Sequence, residues 1–192
     1  MKRSRWHWFV AVLLGIVAGL GSAAWSVGAG QSSSLLRLGP WQTDTLTGSV
    51  AAGAHTRAAI ALHGLLALNS SEAVYYTAFN DSSGEPLRQD CRYRIDGAAL
   101  PAPWWSLTLY AQDEFLARNT DQAHAVNRAG IVRDEHDHWQ ITVAAERGDA
   151  ANWLSTRAAG RFSISLRLYR PQSRPQAEQL PTITRLGCEA TA

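Results

Sequence analysis

The chain has 192 residues, 46% of them hydrophobic and 18% charged. That is long enough to bury a self-sufficient core and too apolar for disorder over its whole length. Lys2, Arg3 and Arg5 account for more than the whole net charge of +2, so the rest has no basic bias and the composition argues against a nucleic-acid partner.

The N-terminus sets the compartment. A short basic stretch, Met1 to Arg5, precedes a run from Trp6 to Gln31 without Lys, Arg, Asp or Glu. This run is slightly longer than the ~20 residues a helix needs to span a bilayer. Basic residues before it and none just after it put the N-terminus in the cytoplasm. Trp6 and Trp8 suit one membrane interface and Trp25 the other. The expectation is an uncleaved anchor over residues 1–30, held in the bacterial inner membrane through residues 6–30. The rival is a cleaved signal peptide, for which Ser22-Ala-Ala24 and Gly28-Ala-Gly30 offer small residues. Both readings export the remainder of the chain, which in a bacterium means the periplasm.

Residues 31–43 read as a linker: Gln31 to Ser34 is polar and Gly39-Pro40 breaks the chain. A domain is expected over 44–192. Ala54 to Leu68 is rich in Ala and Leu, and Ala58, Leu62, Leu65, Leu66 and Asn69 recur at helical spacing. His55 and His63 sit on this helix two turns apart, too far to share one metal ion without a third element. From Glu72 the period changes to two. Strands are expected over 73–79, 87–95, 104–110, 123–132, 138–144, 161–169 and 181–186. In the second, Leu87, Gln89, Cys91, Tyr93 and Ile95 share the inner face. In the third, Trp105, Leu107 and Leu109 face one way and Trp104, Ser106, Thr108 and Tyr110 the other. Residues 113–119 read as one or two helical turns. Gly148 to Gly160 reads as a loop carrying Asn152-Trp153-Leu154. Seven strands joined by polar turns predict an antiparallel sandwich.

Cys91 and Cys188 are the two cysteines. An even count in an oxidising compartment predicts one disulfide, with two buried free thiols as the alternative.

Five stretches occur in a familiar order: Glu72-Ala-Val-Tyr-Tyr-Thr-Ala78, Leu100-Pro-Ala-Pro-Trp-Trp-Ser-Leu-Thr-Leu-Tyr110, Phe115-Leu-Ala-Arg-Asn119, Asn152-Trp-Leu154 and Arg167-Leu-Tyr-Arg-Pro171. Together, over about residues 44–171, they resemble the bacterial domain of unknown function 1214. The resemblance implies an envelope location and no established reaction. It refines the fold to a mainly β, antiparallel, jelly-roll-like β-sandwich with one N-terminal helix, preceded by a transmembrane helix. Ser155 stands where that family often has Pro. Asn127-Arg-Ala129 is the nearest match to a frequent Arg-Tyr-Ser run. The companion domain of unknown function 1254, found upstream in larger members, is not expected here.

Asp134-Glu-His-Asp-His138 is the densest ligand cluster. His136 and His138, two apart, would face one way on a strand and chelate a metal; the alternative is a solvated hairpin tip. No Gly-x-Ser-x-Gly elbow and no Cys-x-x-Cys are present. Glycosidase chemistry, which needs two carboxylates across a cleft, stays open. No cofactor is expected. The ligand-binding candidates are Trp104, Tyr110, Asn119, Asn152, Trp153, Arg167 and Tyr169, whose rings, amides and guanidinium suit flat or sugar-like ligands. Turn caps and strand-end anchors are their structural alternative. The functional expectation is a membrane-anchored binding or envelope-accessory module for a small molecule, a carbohydrate or another envelope partner. The alternative is a periplasmic hydrolase acting on a carbohydrate or cell-envelope substrate.

Overall fold

The computed structural model describes residues 2–30, 35–49, 51–62 and 68–189. The chain divides into two units. The first, Met1–Leu35 with Thr45–Ala67, holds helices α1 (Lys2–Gly30) and α2 (Ala54–Leu62). The α1 stretch Arg5–Ser26 has a mean hydropathy of 1.9, long and apolar enough to cross a membrane, a test that a signal sequence also passes. Trp6, Trp8, Leu20 and Trp25 on it are exposed, as a membrane segment requires. Helix α2 begins where expected. Leu65, Leu66 and His63 of the expected helix, and Gln31 to Ser34 of the expected linker, lie outside the described residues.

The second unit, Leu36–Asp44 with Leu68–Ala192, is β-rich. Its strands are β1 (Leu35–Leu38), β2 (Trp41–Asp44), β3 (Ala73–Ala78), β4 (Cys91–Gly97), β5 (Trp104–Tyr110), β6 (Ala125–Asn127), β7 (Trp139–Ala144), β8 (Trp153–Ser155), β9 (Ser163–Tyr169) and β10 (Thr182–Cys188). One sheet has six strands in the order β1-β2-β3-β9-β5-β6, the other four in the order β10-β4-β7-β8. The inner face of β5 (Trp105, Leu107, Leu109) and that of β9 (Ile164, Leu166, Leu168) are fully buried or nearly so. They share one core with Tyr93, Ile95, Ile141 and Val143 of the other sheet. Trp105 and Trp139 meet across the gap at a ring-centroid distance of 4.8 Å. This is a two-sheet sandwich; burial along β9 alternates with period two, while β5 is buried on both faces from Trp105 to Leu109.

Several expectations need correction. The sheets are not wholly antiparallel: β8 runs parallel to β7. Residues 145–152 carry the chain back along β7 instead of reversing it, and Thr142 N–H donates to the Asn152 carbonyl at 3.0 Å. The expected strand from Leu87 begins only at Cys91. The Cys91 N–H closes a turn on the Arg88 carbonyl, and Arg88 pairs with Asp90 across it. Gln89 is therefore exposed, and its Oε1 accepts the Gly160 N–H at 2.7 Å. Residues 113–119 form no helix: Glu114 has φ 64°, outside the helical region, and Ala111 N–H bonds to the Phe115 carbonyl. Of the expected strand 123–132 only Ala125–Asn127 pairs. Trp41 and Gln42, within residues 31–43, pair with β3.

Cys91 and Cys188 are disulfide-bonded, sitting opposite one another in the β4–β10 pairing.

Candidate functional site

The residues that do not point into the core define the candidate site. On β9 these are Ser163, Ser165, Arg167 and Tyr169, and on β5 they are Trp104, Ser106, Thr108 and Tyr110. The pairing sets them in rows. Tyr169 faces Trp104, Arg167 faces Ser106, and Ser165 faces Thr108. On the other side of β9, β3 supplies Tyr75 opposite Arg167 and Thr77 opposite Ser165. The result is an outer face with hydroxyls, aromatic rings and one guanidinium.

Arg167 occupies its middle. One guanidinium nitrogen donates to Thr108 Oγ1 at 3.1 Å, the other to the Tyr110 hydroxyl. Its carbon lies 5.4 Å from the centroid of the Tyr110 ring, a cation–π contact. Trp104 and Tyr169 pack edge to face at 4.9 Å, and Trp104 remains 39% exposed, so ring surface is open to a ligand. Thr77 and Ser165 hydroxyls stand 3.2 Å apart.

Four of the seven ligand candidates, Trp104, Tyr110, Arg167 and Tyr169, thus share one face. The other three lie elsewhere and are occupied. Asn152 is 7% exposed. Its amide nitrogen donates to the Val132 and Gln140 carbonyls, and its oxygen accepts from the Val132 N–H. Asn119 donates to the Arg157 carbonyl at 2.7 Å and accepts the Asp121 N–H. Trp153 donates its indole N–H to the Ala144 carbonyl at 2.9 Å. These groups pin loops to strands. Tyr75, Thr108 and Ser165 belong to the face and are not among the sequence candidates. Their signal is parity: Thr108 shares an outward face with Trp104 and Tyr110.

A concavity of about 1060 Å³ lies over the outer face of the four-stranded sheet and is lined by residues including Asp96, Asp134, His138, Gln140, Asp149 and Asn152. Two of its carboxylates, those of Asp96 and Asp134, are held by neighbouring groups. Asp96 accepts from Arg94 and Gln140. The His138 N–H foremost, and the His136 N–H after it, hold the Asp134 carboxyl below the usual range against the opposing effect of desolvation. His136 and His138 lie on a turn and not a strand, their rings stacked 6.2 Å apart. Among the described residues no three His, Cys, Asp or Glu side chains are placed to hold a metal.

Ser155, Asp121 and His124 supply the residue types of a hydrolase. The Ser155 hydroxyl, however, donates to Asp121 Oδ2 at 2.5 Å and Ser155 is fully buried. That bond, with Arg157 at 3.1 Å, keeps the Asp121 carboxyl below its ordinary value despite desolvation. A fully buried serine whose proton is held by a carboxylate already paired with arginine is placed as a structural tie.

The family described as "Protein of unknown function (DUF1214)" matches residues 72–173, a little over half of the chain. The VPA0106 protein from Vibrio parahaemolyticus has a similar structure, with TM-score 0.57 and 23% identity, covering 69% of this chain and 35% of that one. An uncharacterised protein from Burkholderia cenocepacia aligns with TM-score 0.45 and 21% identity, over 59% of this chain and 29% of that one. The chain spans about a third of the length of these solved structures. The likeness to the Vibrio protein concerns the fold alone. No curated protein matches the chain.

Proposed function

The chain belongs to the DUF1214 family, whose description assigns no function, and from that premise we propose that it is an exported, membrane-anchored binding module and not an enzyme. Its ligand surface is the outer face of the six-stranded sheet. The observation that carries this reading is Arg167: a half-buried cation held between hydroxyls and rings, flanked by the exposed ring of Trp104. Open aromatic surfaces with a few fixed polar groups orient ligands without needing a reactive centre. The apolar α1 helix and the disulfide support anchoring at the inner membrane with the sandwich in the periplasm. The jelly-roll winding implied by the family resemblance belongs to the same reading. The ties on Asp96 and Asp134 in the groove and the burial of Ser155 weigh against the hydrolase alternative.

The test is titration calorimetry of the full chain in detergent against neutral and acidic oligosaccharides, short-chain phospholipids and peptidoglycan fragments. At least one class binds, and Trp104→Ala weakens it by about tenfold while the fold, followed by circular dichroism, is unchanged. Binding by none of them, or binding indifferent to Trp104→Ala, overturns the reading.

A further inference from the structure

We propose that the outer face of the six-stranded sheet binds an acidic saccharide, its carboxylate on Arg167 and a sugar ring against the Trp104–Tyr169 pair. This rests on the binding-module reading and adds the ligand's chemical class.

The charge argument comes from Arg167 set beside the six arginines of the sandwich that are ion-paired; Arg128 and Arg147 are not among these and donate to backbone carbonyls. Arg88, Arg94, Arg118, Arg133, Arg157 and Arg185 each pair with an aspartate within 4 Å. Arg167 has no such partner among the described residues. Its bonds go to the neutral oxygens of Thr108 and Tyr110. Those contacts fix the guanidinium plane but leave its charge uncompensated and three of its five N–H donors uncommitted in these bonds. A planar fork held in place and lacking an anion suits a carboxylate, which it can bind through two parallel hydrogen bonds.

The sugar argument comes from spacing and composition. Tyr169 is the next outward residue on β9 after Arg167, and Trp104 is its partner on β5. Two residues along a strand is ~7 Å, about the separation between a pyranose ring and a carboxylate on the adjoining unit of an oligosaccharide. Aromatic rings take the apolar face of a sugar. On the opposite side of Arg167 lies half-buried Ser165, whose hydroxyl is shared with Thr77, while Thr108 is buried and serves to hold the guanidinium. The outward positions of β5 and β9 carry no aliphatic side chain, and the apolar surface there is that of the aromatic rings alone. This disfavours a lipid as the occupant.

The experiment titrates the full chain in detergent with a glucuronic-acid-containing disaccharide, its methyl ester, the matching glucose disaccharide and a short-chain anionic phospholipid. The acid is expected to bind at least tenfold more tightly than the ester or the glucose analogue. Arg167→Gln should remove that preference. Should Arg167→Gln fail to fold, the acid-to-ester ratio on the unaltered protein carries the test alone. Equal binding of acid and ester, or preference for the phospholipid, overturns the inference and leaves the binding-module reading standing if Trp104→Ala still weakens that binding. Absence of any binding overturns both.

Discussion

Asp81 is 1% exposed and charged, so its surroundings must compensate for lost water. Burial alone would raise its carboxyl pKa. The Ser83 hydroxyl, the Glu85 N–H, Arg185 and the Ser83 N–H together outweigh burial and leave it below its ordinary value. Arg185 Nε stands 3.0 Å from Oδ2 as a charge contact outside hydrogen-bond angles. Arg185 also lies over the Tyr93 ring and donates to the Pro86 carbonyl. A depressed folded pKa stabilises the protein above the unfolded value near pH 4, and the contribution is lost as pH falls through the folded value. Asp81→Asn should therefore cost about 3 kcal/mol at neutral pH, with the deficit shrinking below pH 4. Urea unfolding at pH 7 and pH 3, followed by near-ultraviolet circular dichroism, reads this; an equal deficit at both would contradict it. Ala158 is the opposite case. It is exposed and has φ 60°, a left-handed conformation that disfavours any side chain. Ala158→Gly should raise stability by about 1 kcal/mol; a lower urea midpoint would show that the turn is not strained.

At the level of elements, β5 and β9 are readable because each turns its apolar residues to one face, which imposes a period of two on the sequence, although Ser106 and Thr108 on the other face of β5 are buried too. The same parity places Trp104 and Tyr110 on one surface. It does not say that Arg167 and Tyr169 lie beside them, since that depends on the long-range pairing of β5 with β9. Asn119 and Asn152 read as ligand candidates because an amide serves a ligand and a backbone equally well; here loops claim both. The three-residue β8 is too short to show a period, and its parallel course depends on the loop before it. The contact between Trp139 and Gly97 is also invisible in the sequence. These residues face each other across β7 and β4, and the Trp139 ring fills the space a side chain at 97 would need: a Cβ there would lie 2.3 Å from it. Trp139 is fixed further by its indole bond to the Ala98 carbonyl and by Trp105. Gly97→Ala should destabilise the sandwich by about 2 kcal/mol or more and alter the near-ultraviolet tryptophan signal; unchanged stability would mean that the Trp stack yields easily.

The whole molecule joins an apolar N-terminal helix to a sandwich whose C-terminal strand is tied back to β4. The Cys91–Cys188 bond spans 97 residues, a loop length for which chain entropy predicts about 4–5 kcal/mol. Reduction should lower the unfolding midpoint of the full chain by a matching amount, and alkylation of unreduced, denatured protein should find no thiol. Two reactive thiols would contradict the pairing and the oxidising compartment with it. Two outward surfaces then compete for the functional role: the Arg167 face of the six-stranded sheet and the groove over the four-stranded one. The most direct measurement compares them in one titration, using whichever ligand binds the full chain in detergent. The account predicts that Trp104→Ala weakens binding about tenfold and that Gln140→Ala, in the groove, leaves it unchanged. The reverse pattern would contradict the account and move the site to the groove.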